Sequence, residues 1–143
     1  MKARRQARIF ALQVLYELDC TEHPLDEVFR IRLSEDPIEP DGIHFARQLV
    51  EGVRARTASL DELIKKHAPE WPIENMPLID LNILRIAIWE FAIGRVTPMR
   101  VAINEAVEIA LLYSDDASSR FINGVLGTLS AKEAELVREL AVQ

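Results

Sequence analysis

Cysteine is almost missing from this chain. Cys20 is the single one, so no intrachain disulfide can form, and a lone thiol suits a reducing, cytoplasmic setting. Glycine is scarce as well, with five residues scattered at 42, 52, 94, 124 and 127. Neither a P-loop nor a dinucleotide-binding fingerprint can be assembled from that scatter. Aromatic residues make up only 6% of the chain, while Ala, Leu, Ile, Glu and Arg abound, which argues for helices over sheets. No apolar run reaches the roughly 18 residues that a membrane span requires. The histidines (His23, His44 and His67) and Cys20 lack metal-ligand spacing and form no nucleophile–base pair in sequence. The many carboxylates fit an acidic helical surface without any acid–base role. The sequence therefore predicts no enzyme, no cofactor and no metal.

Acid is absent from the start of the chain. No Asp or Glu precedes Glu17, whereas MKARRQAR places Lys2, Arg4, Arg5 and Arg8 together in a protein whose net charge is −6. A secretory signal would follow such a cluster with an unbroken apolar stretch. Here IFALQVLYELDC is interrupted by Gln13, Glu17 and Asp19. Ala7, Phe10, Ala11, Val14 and Leu18 recur at helical spacing, and Ile9, Leu12 and Tyr16 form a second stripe. At about 100° per residue, Arg4, Arg5 and Arg8 share one arc beside the first stripe. The basic cluster therefore opens a packed helix. Positive charge there opposes the helix macrodipole, a cost that a bound polyanion would relieve. The alternative is a solvated first turn.

The rest of the chain reads as further helices. Pro24 opens a short one, SEDPIEPDG is a loop, and a single long helix runs from Asp41 to Pro69 unless Ser59 and Glu62 form a capping box that splits it. PEWPIENMP, with three prolines, separates an N-terminal half (about 1–68) from a C-terminal half (about 77–143). LIDLNILRIAIWEFAI is apolar nearly all round and stops at Gly94, the signature of a central helix. Thr97 and Pro98 supply the cap and first turn of MRVAINEAVEIALLY. In DDASSRFINGVL, Ser118 or Ser119 caps the next helix, which leaves Arg120 and Phe121 in its first turn. Phe121 sits at the margin of the inward stripe: it is either a peripheral core residue or a platform for an unpaired base. AKEAELVRELAV ends the chain as a charged amphipathic helix that lies on the surface or frays. The predicted fold is all-α, about seven helices in one 1–143 domain of two helical halves.

Taken together, ARRQARIFALQVLYEL, LIDLNILRIAIWEF, TPMRVAINEAVEIALLYS and RFINGVL resemble the NusB family of bacterial transcription antitermination factors. The resemblance implies a protein that binds boxA-type single-stranded nascent RNA, mainly of ribosomal RNA operons. It acts with NusE, a small-subunit ribosomal protein, and joins the complex that keeps RNA polymerase elongating. Carried over by motif, the RNA-facing residues are Lys2, Arg4, Arg5, Arg8, Arg120 and Phe121, and the NusE-facing residues are Tyr16 and Asp80. Asn104 and Glu105, in the family's INEA motif, are expected to fix helix contacts. Where the family usually has an acidic residue and a histidine before the basic-aromatic pair, this chain has Ala117 and Ser119, and Trp89 replaces a frequent tyrosine. If four to six phosphates are neutralised, the log–log salt slope for single-stranded RNA is about −3 to −4. The rival reading is a helical protein-interaction module or homodimer without specific RNA binding.

Overall fold

The apolar periodicity becomes helix throughout the described residues, 2–68 and 72–141 of the computed structural model, and no strand is present among them. The α-helices are α1 (Lys2–Cys20), α2 (Leu25–Glu35), α3 (Pro40–Ala55), α4 (Thr57–His67), α5 (Leu78–Ile88), α6 (Met99–Tyr113), α7 (Asp116–Ser130) and α8 (Glu133–Ala141). A 3-10 turn (Ile73–Asn75) precedes α5, and a π turn (Trp89–Ile93) continues it. Part of the proline-rich stretch, residues 69–71, lies outside the described residues.

The stretch read as one long helix is two. The break falls at Arg56 (φ −125°, ψ 21°), not at Ser59 and Glu62, which lie inside α4. The Thr57 hydroxyl donates back to the Val53 carbonyl at 2.8 Å, and Arg56 Nη2 reaches across the chain to the Leu140 carbonyl at 2.7 Å. That second bond ties down the last turn of α8. Leu136 and Leu140 are buried, so α8 is docked against the π turn and α7 through its apolar face.

Every residue from Asp80 to Ala92 is buried, which makes α5 and its π turn the centre of the molecule. Helices α1 and α6 both pack on α5, and α1 also lies along α3. The α1 stripe of Ala7, Phe10, Ala11, Val14 and Leu18 is buried as the spacing predicts. Two capping expectations are corrected. Thr97 does not cap α6, because its hydroxyl donates to Glu90 Oε1 at 2.7 Å and Pro98 occupies the cap position. Helix α7 is capped by Asp115, whose carboxylate accepts from the Ser118 N–H at 2.7 Å. A carboxylate at a helix start satisfies an orphan amide and suits the dipole, so α7 begins earlier and Arg120 and Phe121 fall in its second turn.

Trp89 rests on two glycines. A Cβ on Gly52 would stand 2.2 Å from the indole Cε2, and one on Gly94 would stand 2.4 Å from Cη2. Gly94 is thus needed for space. Its own φ is −71°, and the left-handed residue is the next one, Arg95, at φ 52°. A Gly52→Ala variant should lose about 1–3 kcal/mol of stability through overpacking, read by urea unfolding. Adding Trp89→Leu should return part of that loss; a single variant as stable as the parent would contradict this packing.

Candidate nucleic-acid interface

The polar residues of the central helix set the geometry of the basic cluster. A buried charge is tolerated only when it is paired and hydrogen-bonded. Asn82 and Arg85 meet the end of α1 and the start of α4: Arg85 grips Asp61 with two bonds of 2.8 Å and reaches Asp19 at 2.9 Å, while Asn82 also donates to Asp19 at 2.9 Å. Glu90 meets the start of α1. Arg8 Nε donates to both Glu90 oxygens at 3.1 and 3.0 Å, and Arg8 Nη2 adds a bond of 2.8 Å. The Arg8 side chain is 3% exposed and that of Glu90 1%. Arg8, expected among the RNA-facing residues, is therefore enclosed, because the core supplies two carboxylates for it. The second is Glu105 of α6, whose Oε1 lies 3.4 Å from Arg8 Nη1.

Glu105 links the buried arginine to an accessible one. Arg5 Nη2 and Nε donate to its two oxygens at 2.7 and 3.1 Å, and the Arg5 side chain is 37% exposed. The Arg5 hydrogen bond holds the Glu105 carboxyl below its ordinary range, and the same bond raises Arg5. Arg4 is exposed, with its guanidinium carbon 3.9 Å from the centroid of the buried Phe45 ring, a cation–π placement that steers the side chain along the surface. The Lys2 side chain lies outside the described residues. The basic arc thus divides by depth into Arg4 outside, Arg5 at the rim and Arg8 within.

RFINGVL packs through α7 on α6, the helix that also carries Glu105. Glu105 takes Arg5, and two residues on the Val107 carbonyl accepts from the Ser119 hydroxyl at 3.3 Å. Ser119 is itself buried. Arg120 is exposed, and Phe121 is half-buried against the core, so it is a peripheral core residue that keeps part of its ring accessible. With His67, Ala68, Gly124, Val125 and Thr128 it lines an open hollow of about 250 Å³. Burial, then the charges of Lys132 and Lys66, lower the His67 pKa, so the hollow presents a neutral imidazole at pH 7.

Of the two residues assigned to a partner, Tyr16 is 41% exposed and Asp80 is fully buried. Asp80 accepts from the hydroxyls of Ser114 at 3.0 Å and Ser118 at 2.7 Å, bracing the α6–α7 corner from behind. It offers no surface to a partner, contrary to the sequence reading, and the solvated alternative fails too. The corner instead exposes Leu111, Leu112 and Tyr113 at 47%, 62% and 45%. Their signal was the unbroken apolar end of VEIALLY, too many apolar residues for one inward face. Glu105 holds helices together as expected, while Asn104 is exposed on α6.

Arg8→Met should cost about 3–5 kcal/mol in urea unfolding, because Glu90 is left buried without its counter-charge. The depressed carboxyl of Glu105 adds a pH signature: its contribution is complete above the ordinary glutamate range and is lost as pH falls through the lower folded-state value. The unfolding midpoint should fall on acidification in two ways, as His67 protonates below the ordinary histidine range and as Glu105 protonates below the ordinary glutamate range, and only the second contribution should shrink in Glu105→Gln.

Residues 5–131 match the model described as the NusB family. The transcription antitermination protein NusB of Roseiflexus castenholzii is 48% identical over 134 residues, covering 92% of this chain and 94% of the relative. NusB from Aquifex aeolicus, solved in solution, superposes with a TM-score of 0.78 at 26% identity, over 92% of this chain and 89% of that one. A chain from the crystal structure of antitermination factors NusB and NusE in complex with dsRNA superposes at 0.80, over 97% and 98%; at 24% identity that likeness is one of fold. The family match spans most of the chain, and nearly half the residues are shared with a curated relative of the same length: the chain belongs to the NusB family.

Proposed function

We propose that this protein binds boxA-type single-stranded RNA together with NusE, the small-subunit ribosomal protein, and joins the elongating RNA polymerase complex, chiefly on ribosomal RNA operons. It does so as a non-enzymatic adaptor in the cytoplasm. The observation that carries the reading is the accessible cationic start of α1, with Arg4 exposed and Arg5 half-exposed in a chain of net charge −6. Such a patch holds a polyanion at one place and repels it elsewhere. Arg4, Arg5 and Arg120, with Lys2, position the RNA by its phosphates, and Phe121 supplies a ring on which a base stacks. Tyr16 and the apolar end of α6 supply surface for NusE, and Asp80 acts indirectly by fixing the α6–α7 corner.

Removing Arg8 from the phosphate-binding set lowers the expected salt dependence. Three or four accessible cations give a log–log slope for single-stranded RNA of about −2 to −3. The test titrates labelled boxA RNA, a scrambled RNA and a duplex of the boxA sequence, with and without NusE. Tighter binding of single-stranded boxA than of the other two supports the reading; equal binding of all three, or preference for the duplex, contradicts it. Phe121→Ala should lose about 1–3 kcal/mol of affinity with the slope unchanged. Arg4→Ala should instead reduce the slope by about 0.7.

A further inference from the structure

The accessible arginine of the pair is not a loose charge. Two of the three nitrogens of Arg5 are engaged by Glu105, a residue only 2% exposed, and Nη1 is the one not committed to it. Glu105 is held in turn by Arg8, Arg8 by Glu90, and Glu90 by the Thr97 hydroxyl. Arg5–Glu105–Arg8–Glu90 is a row of alternating charge with no net charge, buried at three members and open at one. A guanidinium gripped on one edge by a fixed carboxylate loses the side-chain freedom that would otherwise be lost on binding. We infer that Glu105 is a positioning residue for RNA, setting the orientation of Arg5 toward phosphate while neutralising most of its charge. The inference rests on the RNA-binding reading above. Its consequence is that Arg5 contributes geometry more than salt-sensitive attraction, so that it favours a phosphate in one place over a polyanion in general.

Glu105→Gln separates this role from a purely structural one. The amide preserves shape but releases the Arg5 charge. The preference for boxA over scrambled RNA should fall while the salt slope steepens by about 0.7, the counterions of roughly one more phosphate. A residue that merely held α6 to α1 would change stability and overall affinity but not the slope. Arg5→Lys keeps the charge and lacks the planar fork, and it serves even where Glu105→Gln folds poorly. It should lose boxA preference with the slope unchanged. Preference and slope both unchanged in Glu105→Gln, or full preference in Arg5→Lys, would overturn the inference while leaving the RNA reading intact. A parent protein with no preference among RNAs would overturn that reading, and this inference with it.

Discussion

The salt bridge between Arg8 and Glu90 is the constraint on which the rest of the molecule depends. Both groups lie in the core, at 3% and 1% side-chain exposure, where an unpaired charge is intolerable. Their pairing fixes the start of α1 against the π turn that ends the central helix. It recruits Thr97, which sets the entry to α6, and it places Glu105 of α6 within reach of the same guanidinium. The other polar residues of α5 repeat the device further along. Arg85 and Asn82 gather Asp19 and Asp61, and Asp80 gathers Ser114 and Ser118. Together they hold α1 at both ends, α4 at its start and the α6–α7 corner in register, which nonspecific apolar packing around a helix buried on all sides would not do.

That arrangement gives the basic opening of the chain two tasks. Arg8 is spent inward on holding the fold. Arg5 is shared between the fold and the surface, and Arg4 lies over Phe45 facing solvent. A cluster that looks like one patch in sequence is therefore graded, from structural to accessible, over about one helical turn. The grading links stability to recognition, because the groups that hold α1 in place also orient the arginine at the rim.

Much of the architecture was legible in the sequence because helical periodicity is a local signal. The α1 stripe and the all-round apolarity of α5 could be read directly, whereas the loop expected over SEDPIEPDG shrinks to residues 36–39, because α2 runs on through Glu35 and Pro40 opens α3 as its first residue. The split at Arg56 was not legible, because it depends on a Thr57 hydroxyl turning back on the chain and on a partner carbonyl at Leu140. The cap of α7 is ambiguous in sequence because Asp115, Ser118 and Ser119 all suit that role, and only the inward bonds of Ser118 to Asp80 and of Ser119 to Val107 leave it to Asp115. The burial of Arg8 has no local signal at all. Its arc borders the core stripe, and only the distant residues Glu90 and Glu105 decide on which side of that border it falls. The same long-range pairing put Asp80 inside, and neither partner is near in sequence.

The most direct test of this account is the arginine side-chain spectrum of the isotope-labelled protein, resolved at Nε for Arg4, Arg5 and Arg8 and followed as boxA RNA is added. The account predicts that the Arg8 Nε–H exchanges slowly with water in the RNA-free protein and does not move on addition of RNA, while the Arg4 and Arg5 signals shift. An Arg8 signal that exchanges as fast as that of Arg4, or moves with it on binding, would contradict the division between the buried and the presented arginines.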